Sequence, residues 1–115
     1  MEVNEYQKLA SRTLIDKPGF EISDRDIMAV WDATGLAGEV GEVVDHIKKG
    51  VFHQHGIDLE KIEKELGDTL WYVAALCTTL GLDLSKVMEK NIDKLKIRYP
   101  NGYSSEDSLK RVDTI

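Results

Sequence analysis

The chain has one cysteine, two prolines and two phenylalanines in 115 residues. A single thiol, Cys77, cannot close a disulfide within the chain, so no disulfide framework holds this fold and a reducing compartment is expected. The prolines, Pro18 and Pro100, leave a long middle without helix breakers. Positive charge is in the minority: 15 Lys plus Arg stand against 21 Asp plus Glu, a formal net charge of −6. Without a long basic run, neither a nucleic acid polymer nor an anionic membrane is an expected partner, since both demand a positive surface. A small anionic ligand is still open, because a few cations beside a metal can hold a phosphate. Long apolar runs are also missing. The most apolar stretch, Leu70 to Leu82, is broken by Thr78, Thr79 and Gly81 and is shorter than the ~20 residues of a bilayer helix. The first residues are polar from Glu2 onward and carry no secretory apolar segment. The expectation is one soluble cytoplasmic domain over residues 1–115, with a polar tail from about residue 103.

What is present is helical spacing. Hydrophobic residues make up 42% of the chain and charged ones 31%, enough apolar content to fold rather than stay disordered. Tyr6, Leu9, Ala10, Thr13 and Leu14 suit a short first helix, closed by Lys17-Pro18-Gly19. Ser23 with Asp26 reads as an N-cap with an acid at N3, opening a long helix from about residue 26. Its apolar stripe is Leu36, Ala37, Val40, Val43, Val44 and Ile47. It ends at Lys48-Lys49-Gly50 or runs on through Phe52 toward Gly56; the spacing leaves both open. Asp58 caps a third helix over 59–80 with Gly81 as its stop, and Asp83 caps a fourth over 84–98. No strand alternation stands out. The expected class is all-α, a four-helix bundle with short connections.

One pattern occurs twice. Glu39-Val40-Gly41-Glu42 and Glu65-Leu66-Gly67-Asp68 are each acid, apolar, glycine, acid. At i and i+3 the two carboxylates of each pair share a helix face. The stretch between the pairs has room for the rest of one helix, a turn and the start of an antiparallel partner, so the pairs can face each other. Solvated surface acids would be the bland explanation, but like charges one turn apart repel. Each helical glycine costs about 1 kcal/mol relative to Ala, so Gly41 and Gly67 suggest close backbone approach or room beside the acids. The Glu65/Asp68 face continues as Tyr72, Ala75, Leu76 and Thr79, which is largely apolar. Carboxylates at the end of such a face need cations. Four oxygen donors with no thiolate suit Mg²⁺, with Mn²⁺ as a substitute. A di-iron centre would need Glu-x-x-His on two helices, and the nearest case here is Glu42 with His46 at i+4.

At these residues the sequence resembles the MazG-like members of the all-α nucleoside triphosphate pyrophosphohydrolase superfamily. The signature E-x-x-E, spacer, E-x-x-D reads Glu39-x-x-Glu42 and Glu65-x-x-Asp68. The flanking text resembles the family too: Gly35-Leu36-Ala37-Gly38 before the first pair, Thr69-Leu70-Trp71-Tyr72 after the second, and Asn91 to Pro100 near the end. The resemblance implies a MazG-type helical fold assembled as a homodimer or homotetramer. It implies Mg²⁺-dependent hydrolysis of a nucleoside triphosphate, a deoxynucleotide or an altered one, to monophosphate and pyrophosphate. Metal positions map onto Glu39, Glu42, Glu65 and Asp68, with Glu39 or Glu42 as general base. Phosphate contacts map onto Asn91, Lys94 and Arg98, which lie at i, i+3 and i+7 on one helix face.

Lys49, two turns past Glu42, is a further candidate for phosphate, or a cation closing its helix. Tyr72, one turn past Asp68, stands to stack on the base or to pack in the core. Trp31 and Trp71 read as core or subunit-interface anchors, with Trp71 off the carboxylate face. Cys77 reads as a small buried hydrophobe, and His53 and His55 as solvated loop residues. Two other functions fit the same residues: phosphoribosyl-ATP pyrophosphohydrolysis, and a non-catalytic helical module that binds a nucleotide or another protein.

Overall fold

A computed structural model describes residues 1–111. After the first helix, each α-helix opens where a short polar side chain takes up a free backbone N–H group. Helix α1 spans Val3–Ala10 and runs into a 3-10 turn at Ser11–Thr13. Ser23 then accepts a hydrogen bond from the Asp26 N–H and opens α2, Asp24–Phe52. Asp58 accepts from the Lys61 N–H and opens α3, Leu59–Leu80. Gly81 ends α3 at φ +71°, a left-handed conformation that glycine adopts without steric cost. Asp83 accepts from the Ser85 N–H and opens α4, Leu84–Arg98. The tail supplies a fifth helix, α5, Ser105–Lys110, capped by Ser104. The remainder of the tail, residues 112–115, lies outside the described residues.

Of the two ends left open for α2, the longer is the one observed, and Gly50 explains it. A side chain there would collide with the turn folding back on the helix: its Cβ would lie 2.9 Å from the Gly56 carbonyl oxygen and 3.0 Å from Ile57 Cα. Gly50 is therefore the bed of the α2–α3 turn, not the stop of the helix. The Gly56 N–H donates to the Gly50 carbonyl at 3.1 Å and pins the turn down.

The long helices α2 and α3 form an antiparallel hairpin along one seam. On α2 the residues withdrawn from solvent include Ala29, Asp32, Leu36, Glu39, Val43, His46 and Gly50. On α3 they include Ile62, Glu65, Thr69, Tyr72, Leu76 and Thr79. Both sets advance by alternate steps of three and four, the spacing that keeps a seam facing its partner along its whole length. At one point a side chain of one helix lies directly on the backbone of the other. A Cβ on Gly35 would lie 2.2 Å from the Tyr72 ring, so the ring rests directly on α2.

One expectation is corrected here. No four-helix bundle closes within the described chain. Helix α1 packs on its own 3-10 turn and α4 on α5, and neither lies along the hairpin. The radius of gyration is 20.4 Å, against about 13 Å for a compact chain of this length. The surface is 9956 Å², against about 6,300 Å² for a closed monomer of 13.0 kDa. Apolar periodicity shows that a helix has a face to cover, not which surface covers it. Of the two readings of Gly41 and Gly67, room beside the acids is the one observed: a Cβ on either would meet nothing within 4 Å, and the close approaches are at Gly35 and Gly50 instead. Trp31 and Trp71, at 69% and 63% exposure, are not core residues of the single chain either, whereas Cys77 is buried as expected. Among the described residues no helix is long and apolar enough to cross a membrane.

Gly35→Ala should lower stability by about 1–3 kcal/mol, because the Tyr72 ring must leave its bed. Gly38→Ala, where a Cβ meets open space, should gain up to about 1 kcal/mol from helix propensity. Urea unfolding of the two variants checks the opposite signs.

Candidate functional site

The seam is not apolar throughout. Every second position on α2 is polar: Asp32, Glu39 and His46, each a heptad apart. The facing α3 set is Glu65, Tyr72 and Thr79, again a heptad apart. In an antiparallel hairpin these meet in reverse order. Near the open end, the Thr79 hydroxyl donates to Asp32 Oδ2 at 2.7 Å, and Asp32 is only 5% exposed. Burying that carboxylate is tolerable because it is hydrogen-bonded. Near the turn, His46 Nε2 lies 3.7 Å from Glu65 Oε1.

Between these layers the signature acids converge. Glu39, Glu65 and Asp68 each offer an oxygen within 4.8 Å of the others. Glu42, His46 and Glu65 form a second such group, so Glu65 belongs to both. Glu39 shows the cost of this crowding. Its carboxyl is held above its ordinary value of 4.5, first by the neighbouring Glu65 carboxyl within hydrogen-bond reach, then by partial burial, then by the negative charges of Asp68, Glu65 and Glu42. Every charge in that set is negative. A cation of hard character would relieve the repulsion, and three carboxylate oxygens are the donors it prefers. The donor set therefore fits a divalent metal ion.

Tyr72 borders this cluster. A cleft of about 330 Å³ is lined by Glu39, Asp68, Trp71 and Tyr72. The two rings meet edge to face, 5.0 Å between centroids and 85° between planes. Trp71 thus joins the carboxylate cleft, contrary to its expected place off that face: the indole is long enough to reach around from the next helix position. Lys49 sits on the opposite side, toward the turn. Its ammonium pairs with Asp45 Oδ2 at 2.8 Å. Asp45 is lowered from its ordinary value mainly by that contact, and Lys49 is raised by it, with a smaller push from Glu42. Lys49 also lines a cavity of about 250 Å³ at the turn, with His46, His55, Asp58 and Lys61.

The structure thus brings together Glu39, Glu65, Asp68 and Tyr72, and links Glu42 to them through His46 and Glu65. It places Lys49 at the turn side of this group. It does not bring in Asn91, Lys94 or Arg98. They are on α4, which leaves the hairpin at Gly81 and packs on α5, and Arg98 approaches the Tyr99 ring at 5.9 Å. Three residues beside the acids were not among the expected site residues: Asp32 and His46 on the seam, and Trp71 at the edge of the cleft. The heptad spacing of Asp32, Glu39 and His46 was a usable signal for the first two. Nothing local marked Trp71.

Comparison with known proteins concerns this same region. The family model described as the MazG nucleotide pyrophosphohydrolase domain matches residues 33–103. That span holds all four signature acids and α4. The "Gene 37 protein" of Mycobacterium phage L5 is 36% identical over 106 residues, covering 89% of this chain and 92% of its own length. No solved structure matches the chain.

The raised Glu39 value has a signed consequence for metal-free protein. The folded chain retains a proton there at pH values where the unfolded chain has released it, so stability falls as pH rises from about 4.5 through the raised value. Asp45 works the other way, but its contribution is lost only as pH falls below about 3.8, outside that window. Thermal melts in chelator should show Tm decreasing across the Glu39 window. Glu39→Gln should flatten that trend and melt higher at neutral pH.

Proposed function

Since the chain belongs to the MazG nucleotide pyrophosphohydrolase family, we propose that it hydrolyses a nucleoside triphosphate to monophosphate and pyrophosphate in a Mg²⁺-dependent reaction. The substrate class is a deoxynucleotide or an altered nucleotide. The observation that carries this reading is the convergence of Glu39, Glu65 and Asp68 within 4.8 Å, beside a cleft walled by two aromatic rings.

The chemistry follows from the residues. A triphosphate carries its negative charge on the oxygens that an attacking water must approach, so neutralisation is the first requirement. Glu39, Glu42, Glu65 and Asp68 would hold the divalent ion, which when bound supplies that neutralisation and acidifies water. Glu39 or Glu42 accepts the proton of the attacking water. The water oxygen bonds to phosphorus, the bridge between the α and β phosphates breaks, and pyrophosphate leaves. Tyr72 and Trp71 offer ring faces and edges to a base, and their geometry permits stacking on one side. Lys49 stands near enough to Glu42 to attract the phosphate chain once its pairing with Asp45 is shared.

The phosphate-binding roles of Asn91, Lys94 and Arg98 require α4 to reach a carboxylate cluster, and in the single chain it does not. A homo-oligomer in which α4 of one copy covers the hairpin of another supplies both the missing cations and the missing cover. The uncovered surface supports this: the excess over a closed monomer is about 3,600 Å², larger than a standard interface of about 1,600 Å².

Purified protein with a panel of NTPs and dNTPs and Mg²⁺ should yield monophosphate and pyrophosphate. Glu42→Gln and Asp68→Asn should each lower turnover about 10²-fold or more while keeping the wild-type circular dichroism. Inorganic phosphate with a diphosphate product would place the cleavage elsewhere. Sedimentation should show a dimer or tetramer, and a stable monomer would remove α4 from the site.

A further inference from the structure

His46 is a potential metal ligand on the seam that the four-carboxylate reading leaves unused. It projects from α2 into the hairpin, half-buried, between the carboxylate cluster and the cavity at the turn. Its Nε2 stands 3.7 Å from Glu65 Oε1. That separation is too long for a hydrogen bond. It is close to the spacing of two ligands on one ion: donors about 2.1 Å from a shared metal, at roughly tetrahedral or wider angles, lie about 3.4–3.6 Å apart. Glu42 completes the group, since its oxygen, the imidazole nitrogen and the Glu65 oxygen are all within 4.8 Å of one another.

We infer that Glu42, His46 and Glu65 form a second metal position, adjacent to the Glu39/Glu65/Asp68 position and sharing Glu65 with it, and that His46 makes it selective for a first-row transition metal over Mg²⁺. The inference rests on the metal-dependent reading of the carboxylate cluster and goes beyond it in ligand and in metal identity. Its chemical basis is the donor set. Mg²⁺ is a hard ion held by oxygens and waters and gains little from imidazole. Mn²⁺, Fe²⁺ and Zn²⁺ accept nitrogen and carboxylate oxygen together. The neighbouring position, with oxygen donors alone, has no such preference. One chain thus presents an all-oxygen position and a mixed nitrogen–oxygen position side by side, bridged by one carboxylate. His46 on the long rigid α2 is a better-fixed ligand than either loop imidazole, His53 or His55.

The test uses full-length protein and Mn²⁺ as the probe, read by pulsed electron paramagnetic resonance and by calorimetry. Mn²⁺ bound to wild-type protein should show ¹⁴N coupling from a directly bound imidazole. His46→Gln, checked for wild-type helicity, should lose that coupling and bind Mn²⁺ about 10-fold or more weakly, with Mg²⁺ affinity close to wild type. His55→Gln should retain both coupling and affinity. Absence of ¹⁴N coupling in the wild type overturns the inference without need of any variant. So does coupling that survives His46→Gln, or an equal loss of Mg²⁺ and Mn²⁺ affinity in that variant. Failure of the underlying metal reading looks different: neither ion would bind the wild type, and Asp68→Asn would change nothing.

Discussion

The structure depends on a seam that must be tight enough to hold two helices together and polar enough to hold acids. A seam of alternating three- and four-residue steps ordinarily fills with leucine, isoleucine and valine. Here alternate layers carry Asp32 against Thr79, Glu39 among Glu65 and Asp68, and His46 against Glu65. The apolar layers between them, with Leu36, Val43, Ile62 and Leu76, provide adhesion. Polar layers in such a position weaken a helix pair but fix its register, because a slip would leave each buried group without its partner. Asp32 with Thr79 is the layer that shows this best, since the acid is buried and its hydrogen bond spans the two helices.

The same constraint accounts for the electrostatics. Rigid helices keep Glu39, Glu65 and Asp68 close although they repel, and the cost appears as the raised Glu39 value. Water cannot spread the charges apart because the backbones cannot move independently. This is preorganisation in a literal sense: the repulsion is established on folding and relieved when a cation arrives. Tyr72 contributes to the rigidity. Its ring rests on Gly35, where no other residue fits without displacement, and so it holds α2 and α3 at a set distance immediately beside the acids.

The elements outside the hairpin follow a different logic. Helices α1 and α4 carry apolar faces, with Tyr6 and Leu9 on one and Met88 and Ile92 on the other, that the chain itself leaves exposed. The hairpin likewise exposes Trp31, Leu70 and Trp71. On the proposed reading, this uncovered apolar surface is covered by other copies of the chain, and the cations of α4 and the acids of the hairpin belong to one site but to different copies. That arrangement would couple assembly to catalysis.

Local chemistry was legible in the sequence. Ser23, Asp58 and Asp83 cap their helices and Gly81 ends one, because a cap needs only a side chain and an N–H two or three residues away. The two acid pairs were legible for the same reason, since i and i+3 share a face in any helix. Matters that depend on how two helices meet were not. Gly41 and Gly67 drew attention by their helix cost, yet Gly35 and Gly50 carry the close contacts, and only the crossing of α2 with Tyr72 and with the turn reveals it. His46 reaches Glu65, and Trp71 shares a cleft with Glu39, each across the two helices, which spacing along one helix does not show. The direction of α4 was set by a left-handed glycine followed by a short turn, and a one-dimensional pattern does not encode where such a turn points. The sequence alone thus determined the helices, their caps and the acids they carry. Tertiary structure decided which of those acids meet, what lies beside them, and that α4 does not reach them within one chain, because contacts between helices depend on register and crossing and not on spacing along either one.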